Sequence, residues 1–272
     1  MTQVEHKYLL HTGENDRLRL SILNKLYNPA AQAFILESGL QKGMTVLEIG
    51  CGTGHMACWL AQQVGNKGKV LALDNSEDQL NIARKTAHDM GISNIDFLLC
   101  DVMKLDALNL KYDFTYGRWV LCFVPNPQKA LENIYYGLNQ GGIFTYEELN
   151  IKENGHFCIP AGEAIEQWRQ IGIKNFSAAN LDVSLGFKLY HYLEKLEYLN
   201  LHIKISQPVL ITPEEKSVYR LGLLSVKDNT LKNMPEITEK DFDHLIEQFR
   251  TIENDESIIG FYRNILVSGV KS

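Results

Sequence analysis

The stretch Thr45-Val46-Leu47-Glu48-Ile49-Gly50-Cys51-Gly52-Thr53-Gly54 decides how the rest of this chain is read. Residues 45–50 form a largely apolar run of strand length. Such a run suits a strand covered on both faces, as in a parallel sheet. Three glycines follow within five residues, where the strand hands over to a helix. Glycine there lets the chain turn tightly and lets a ligand approach the backbone closely.

Outward from this loop the pattern alternates. Residues 55–65 (HMACWLAQQVG) read as a helix closed by Gly65, and 69–74 (KVLALD) as a second strand. Ser76 and Gln79 have capping-box spacing and open a helix that Gly91 closes. Residues 95–100 (IDFLLC) and 112–117 (YDFTYG) are the third and fourth strands. Asn126-Pro127 reads as an N-cap with proline in the first turn of the next helix. Gly141-Gly142 then turns the chain into a fifth strand, IFTYEE. Strands alternating with helices imply right-handed β-α-β units and one α/β domain built on a mostly parallel sheet.

The flanks are less regular. Residues 15–27 show helical spacing, Asn28-Pro29 predicts a break, and a second helix ends near Gly39. Residues 187–200 predict a helix, 201–210 a strand and 264–270 a last strand. Two stretches, 149–182 and 211–260, fall outside the alternation. No repeat or linker divides the 272 residues, so a single domain spanning 1–272 is expected, with its core at 41–150 and N-terminal helices within 1–40.

Composition removes several function classes. Hydrophobic residues make up 45% and charged residues 22%, as in an ordinary globular protein. Lys and Arg number 27 against 33 Asp and Glu, a net charge of −6, so nucleic acid is a disfavoured partner. The five cysteines have no Cys-x-x-Cys pair and the eight histidines no His-x-x-x-His, so no metal is expected. The N-terminus is polar and lacks a signal-peptide core. No apolar run approaches the roughly 20 residues of a membrane span. The expectation is a cytoplasmic protein.

The loop itself narrows the ligand. Its spacing is Gly-x-Gly-x-Gly, not the Gly-x-Gly-x-x-Gly of nicotinamide sites. Glu48, two residues before the first glycine, would repel a diphosphate and favour a cation. An adenosine cofactor with a positive centre and no phosphate fits both facts. VLEIGCGTG resembles the first motif of class I S-adenosylmethionine-dependent methyltransferases of the small-molecule type. The resemblance spans roughly residues 25–150. It continues at Asp74, 20 residues beyond Gly54, with Asn75 beside it, at the second strand's tip. A strand-tip acid can accept both ribose hydroxyls. It continues again at Asp101 and Val102 after the third strand, which the family implies for the adenine. Last comes Arg118 in Gly117-Arg118-Trp119-Val120-Leu121, ahead of Pro125 and Pro127, below the methionine part of the cofactor.

The resemblance implies S-adenosylmethionine as cofactor, S-adenosylhomocysteine as product, and a Rossmann-like three-layer sandwich. Its seven strands run in the order 3-2-1-4-5-7-6, the seventh antiparallel. The cofactor set expected from it is Glu48, Gly50, Cys51, Gly52, Gly54, Asp74, Asn75, Asp101, Val102, Arg118 and Tyr8, the last because such enzymes often fold their N-terminus over the cofactor. With 183–210 and 261–272 completing the sheet, stretches 149–182 and 211–260 would form helical lids on its active face. Their aromatic residues suggest a small, partly apolar acceptor. His156, His11, Glu147 and Glu148 are candidates by type for a base or an orienting group, and no single catalytic residue emerges. Competing readings are a non-catalytic binder of the same cofactor, a protein methyltransferase and, disfavoured by loop spacing and Glu48, a nicotinamide-dependent oxidoreductase.

Overall fold

The computed structural model describes residues 16–150, 156–182 and 184–272. Its main sheet uses β1 (Thr45–Ile49), β2 (Lys69–Asp74), β3 (Ile95–Leu99), β4 (Tyr112–Gly117), β5 (Leu138–Leu149), β7 (Tyr198–Ser206) and β10 (Asn264–Lys271). The strand order is β3-β2-β1-β4-β5-β10-β7. Strands β1 to β5 pair in parallel, and β10 runs antiparallel to both β5 and β7. This is the expected order, with β7 and β10 as the sixth and seventh strands of the sheet.

Both faces are covered, as the apolar run at 45–50 required. Val46 packs into one buried cluster with Ala57, Leu60 and Ala83, while Leu47 and Ile49 point to the opposite cluster. Burying each of Val46, Leu47, Ile49 and Leu60 contributes roughly 1.5–3 kcal/mol relative to exposure. On the first face lie α2 (His55–Val64) and α3 (Glu77–Asp89). Helix α4 (Pro127–Gly137) connects β4 to β5. Two of its cues act as read: Asn126 accepts from the Lys129 N–H at 3.0 Å, and Pro127 occupies the first turn. Gly39 caps the N-terminal helix in the left-handed conformation.

Four local expectations are corrected. First, the N-terminal region is one helix, α1 (Arg17–Ser38), with Pro29 inside it. Proline removes one helical N–H, but Ile22, Leu23, Tyr27, Ala31, Phe34 and Ile35 bury one continuous face across it. Tertiary packing outweighs the local break. Second, α6 spans Leu185–Lys195 rather than 187–200, and β7 begins at Tyr198. Glu197 and Asn200 take left-handed backbone angles that a continuing helix excludes. Third, β5 starts at Leu138, absorbing Gly141-Gly142 near a register shift against β4. Fourth, the stretch 201–210 divides between two sheets, β7 in the first and β8 (Val209–Leu210) in the second.

That second sheet was not legible in the sequence. Strands β6 (Phe157–Ile159), β9 (Ile258–Gly260) and β8 form a three-stranded antiparallel sheet in the order β6-β9-β8. It ties the stretch after β5 to the stretch after β7. The helices of these stretches are α5 (Glu163–Ala178), α7 (Pro213–Asn233) and α8 (Glu239–Asn254). Thr212 and Thr238 open α7 and α8 with capping boxes. Phe242, Leu245, Ile246 and Phe249 of α8, at helical spacing, are buried. No described helix is long and apolar enough to cross a membrane.

Candidate active site

The carboxyl ends of β1 to β5 open into a cavity of about 1370 Å³. This exceeds the roughly 300–1,000 Å³ of a site for one small ligand. Residues 50–53 of the glycine loop form one wall. Gly50, Gly52 and Gly54 have φ of 71°, 52° and 80°, a region that favours glycine. Gly52 lines the cavity, and a Cβ there would meet no atom within 4 Å, so it would project into open space. A Cβ on Gly50 would lie 2.2 Å from Val120 Cγ2. Gly54 differs from expectation. It is absent from the cavity wall, and its Cβ would strike Ala83 of α3 at 2.8–2.9 Å, so it serves close packing.

Of the other residues expected at the cofactor, Glu48, Cys51, Asp74, Asn75, Asp101, Val102 and Arg118 all line the cavity. Tyr8 and His11 lie outside the described residues. Asp74 is buried at the tip of β2. One of its oxygens accepts from the Gly52 N–H at 2.9 Å and the other from the Ser76 N–H at 3.0 Å. The carboxylate therefore shapes the glycine loop while facing the cavity. Burial raises its pKa, against these hydrogen bonds. Asp101 sits at the tip of β3, where it caps the following 3-10 turn by accepting from Met103 N–H at 2.9 Å.

Glu48 is 3% exposed, and its Oε2 has no hydrogen-bond partner. Burial pushes its pKa up to about 8; Arg118 opposes this shift and Asp74 adds to it. A buried carboxyl oxygen without a hydrogen-bond partner is costly. A cationic group entering the cavity would favour its ionised form.

Arg118 is held from two sides. Its guanidinium donates to Asn24 (2.7 Å) and Asn28 (2.9 Å) of α1 and reaches Glu147 Oε1 at 3.4 Å. Tyr116 donates to the same Glu147 oxygen at 2.5 Å, and Asn264 Nδ2 donates to the other at 2.8 Å. Asn264 Oδ1 in turn accepts from Trp119 Nε1 at 2.9 Å. None of these partners was foreseen, because residues up to 240 positions apart meet there only in the fold. The network also corrects the reading of Glu147 and Glu148. Neither lines the cavity. Glu147 anchors Arg118. Glu148 accepts from the Cys122 and Leu149 N–H groups, both at 3.0 Å, and burial raises its pKa to about 8.

His156 is likewise outside the cavity wall. Its ring contacts Tyr262, Phe261 and Tyr219, its Nδ1 lies 3.0 Å from the Gly260 carbonyl, and burial lowers its pKa to about 4. Among the insertion aromatics, Trp168 and Phe176 reach the cavity, whereas Phe157 is exposed and Tyr219, Phe242 and Phe249 pack the helices together. No described cluster of His, Cys, Asp or Glu could hold a metal ion.

A methyltransferase-domain family model matches residues 40–195, more than half of the chain. The chain belongs to that family. Together with the strand order, this makes it a class I S-adenosylmethionine-dependent methyltransferase domain. A demethylmenaquinone methyltransferase of Listeria welshimeri is 28% identical over 127 residues, covering 47% of this chain and 54% of that protein. The chain thus spans about half the length of such curated relatives. Among solved structures, YcgJ of Bacillus subtilis aligns with a TM-score of 0.59 at 14% identity, covering 90% of this chain and 99% of that one. A Haemonchus contortus phosphoethanolamine N-methyltransferase in complex with S-adenosylhomocysteine aligns at 0.52 and 15% identity, over 94% of this chain and 52% of that one. At these identities the likeness is one of fold. The family's cofactor is S-adenosylmethionine. This methyltransferase domain has a buried carboxyl with one oxygen unpartnered, a loop open at Gly52 and strand-tip acids lining one cavity.

Proposed function

We propose that the protein transfers a methyl group from S-adenosylmethionine to a small, partly apolar organic acceptor. The observation that carries this reading is the shape of the cavity. One end collects Glu48, Asp74, Asp101 and the glycine loop, and the other is walled mainly by apolar side chains of α1, α5, α7 and the residues after β9, with Arg19, Asn24 and Asn175 among them. One opening thus adjoins a polar half for a cationic nucleoside and an apolar half for a second molecule. The relatives' names, demethylmenaquinone and phosphoethanolamine methyltransferases, support a small-molecule acceptor.

In this reading Glu48 faces the cationic end of the cofactor, Asp74 and Asn75 the ribose, and Asp101 and Val102 the adenine. Bound S-adenosylmethionine supplies a methyl group already activated on a sulfonium. The protein's part is to hold the acceptor in line and to exclude water, and positioning of this kind can supply about 7–11 kcal/mol. Arg118, fixed by Glu147 and two asparagines of α1, holds α1 against the cavity as one of its walls. The side chains suggested as bases from sequence, His156, Glu147 and Glu148, are absent from that wall, so no step is assigned to them.

Calorimetric titration with S-adenosylmethionine, S-adenosylhomocysteine and NAD tests the cofactor. The first two should bind and NAD should not. A screen of small acceptors for methyl transfer then tests the reaction. Binding without turnover across the screen would favour a non-catalytic cofactor binder, and binding of NAD alone would refute both readings.

A further inference from the structure

The apolar half of the cavity has a definite construction, and the inference from it rests on the methyltransferase reading above. Adjacent strands lie about 4.8 Å apart, so the tips of β3 and β5, four spacings apart, are separated by about 19 Å. Asp101 marks the first tip and Leu149 the second, and both line the cavity. Beyond Leu149 the wall comes from α1, the insertions and the residues just after β9. Trp168 of α5, Val218 and Gly222 of α7, and Tyr262 following β9 meet there.

Charge is balanced at this end. The charged lining residues Glu48, Asp74, Asp101 and Lys104 belong to the tips of β1 to β3. The remaining charged ones among the described lining residues are Arg19 and Arg118. Arg19 is paired with Asp16 through two hydrogen bonds, and Arg118 with Glu147. An ionic acceptor would find no open countercharge among them, and a buried unpaired charge is costly.

Gly222 lies in the interior of α7, where glycine is less favourable than alanine. The position has a steric reason. A Cβ there would sit 2.8 Å from Cη2 of Trp168 and 3.3 Å from Cζ2, so the indole edge rests on the bare backbone of α7. The indole is braced by Tyr219 (5.9 Å, edge-on) and Tyr262 (6.4 Å, tilted). Packed interiors yield little. Trp168 and Gly222 both line the cavity, so a side chain at position 222 would shift an indole that forms part of the cavity wall.

We propose that Trp168 and Gly222 form the size gauge of an acceptor pocket that takes a neutral, flat, apolar ring compound. Trp168 is the gauge and Gly222 sets its position; neither takes part in the chemistry.

The test uses the full chain saturated with S-adenosylhomocysteine and titrated at pH 7 with three probes: 1-naphthol, the larger 9-phenanthrol and the anionic 1-naphthoate. Both neutral probes should bind at least tenfold more tightly than the carboxylate. Gly222→Ala should weaken 9-phenanthrol about tenfold relative to 1-naphthol. Trp168→Leu, which opens the slot, should shift the ratio the other way, and it decides the matter if Gly222→Ala fails to fold. A purely structural role would lower the melting temperature and leave the ratio of the two neutral probes unmoved, which would overturn the gauge. Equal binding of the carboxylate, or no binding of either neutral ring to the parent protein, would overturn the ligand class. Failure of S-adenosylhomocysteine itself to bind is a separate outcome: it removes the cofactor reading, and the gauge falls with it.

Discussion

Glu48 should make cofactor binding move protons, with a sign that reverses between pH 7 and pH 9. The perturbation is saturation with S-adenosylmethionine, compared between the parent protein and Glu48→Gln. With a pKa of about 8 set by burial, the Glu48 carboxyl of the free protein is about 90% protonated at pH 7. A cationic centre brought against it favours the charged form, so its pKa falls and the proton leaves. The ligand's own α-amino group, with an ordinary pKa of about 7.7–8.0, is already mostly charged at pH 7 and takes up only about 0.1 proton. The net expectation at pH 7 is release of about 0.8 proton per site. At pH 9 the carboxyl is about 90% ionised beforehand, while the ligand amine is mostly neutral and must be charged. The net flow there becomes an uptake of about 0.8–0.9 proton. Isothermal calorimetry in buffers of different ionisation enthalpy measures both numbers directly. Glu48→Gln has no proton to give, so the release at pH 7 should vanish and the affinity should drop. Identical proton flow in Glu48→Gln, or no release by the parent protein at pH 7, would refute the placement of this carboxyl against a cation.

Two further predictions concern stability. Glu147→Leu strips the half-buried Arg118 of its carboxylate and leaves the buried Tyr116 and Asn264 without this acceptor, and removing one partner of a buried pair typically costs about 3–5 kcal/mol. Denaturant unfolding should show a loss of that order, with a smaller loss for Glu147→Gln, which keeps an acceptor oxygen. Glu148, buried with a pKa near 8 against about 4.3 in an unfolded chain, keeps its proton in the folded state while the unfolded chain loses it. Its contribution is therefore fully present below about pH 4.3 and is lost as pH rises through 8, at about 1.4 kcal/mol per pH unit. Glu148→Gln should flatten the fall of stability between pH 5 and 8 by about that slope. An unchanged slope would contradict the burial argument.

The legible parts of the chain are those in which local chemistry repeats the global arrangement. In residues 45–117, strand-length apolar runs, capping residues and glycines all act within a few positions of one another. The alternation of strands and helices follows from them, and the resemblance they carry implied the sheet order and the cavity residues from Glu48 to Arg118. Misreadings arose where distant packing overrode a local signal. Pro29 sits inside a helix because the buried face of α1 continues past it. The loop glycines look alike in sequence, yet Gly52 faces the cavity and Gly54 faces Ala83, a difference set by where α3 lies. Glu147 and Glu148 fall at the end of a strand pointing toward the site, but both side chains enter buried networks.

By itself the sequence determined the βα alternation, the tight glycine turn and the acids at the strand tips, because each depends on residues adjacent along the backbone. Only the tertiary structure decided which carboxyls stay buried without a partner and which anchor Arg118, how β6, β8 and β9 join the two insertions, and that Trp168 lies on Gly222. These contacts join residues far apart in the chain. They arise from close packing between elements, and the order of residues along the backbone carries no local record of that packing.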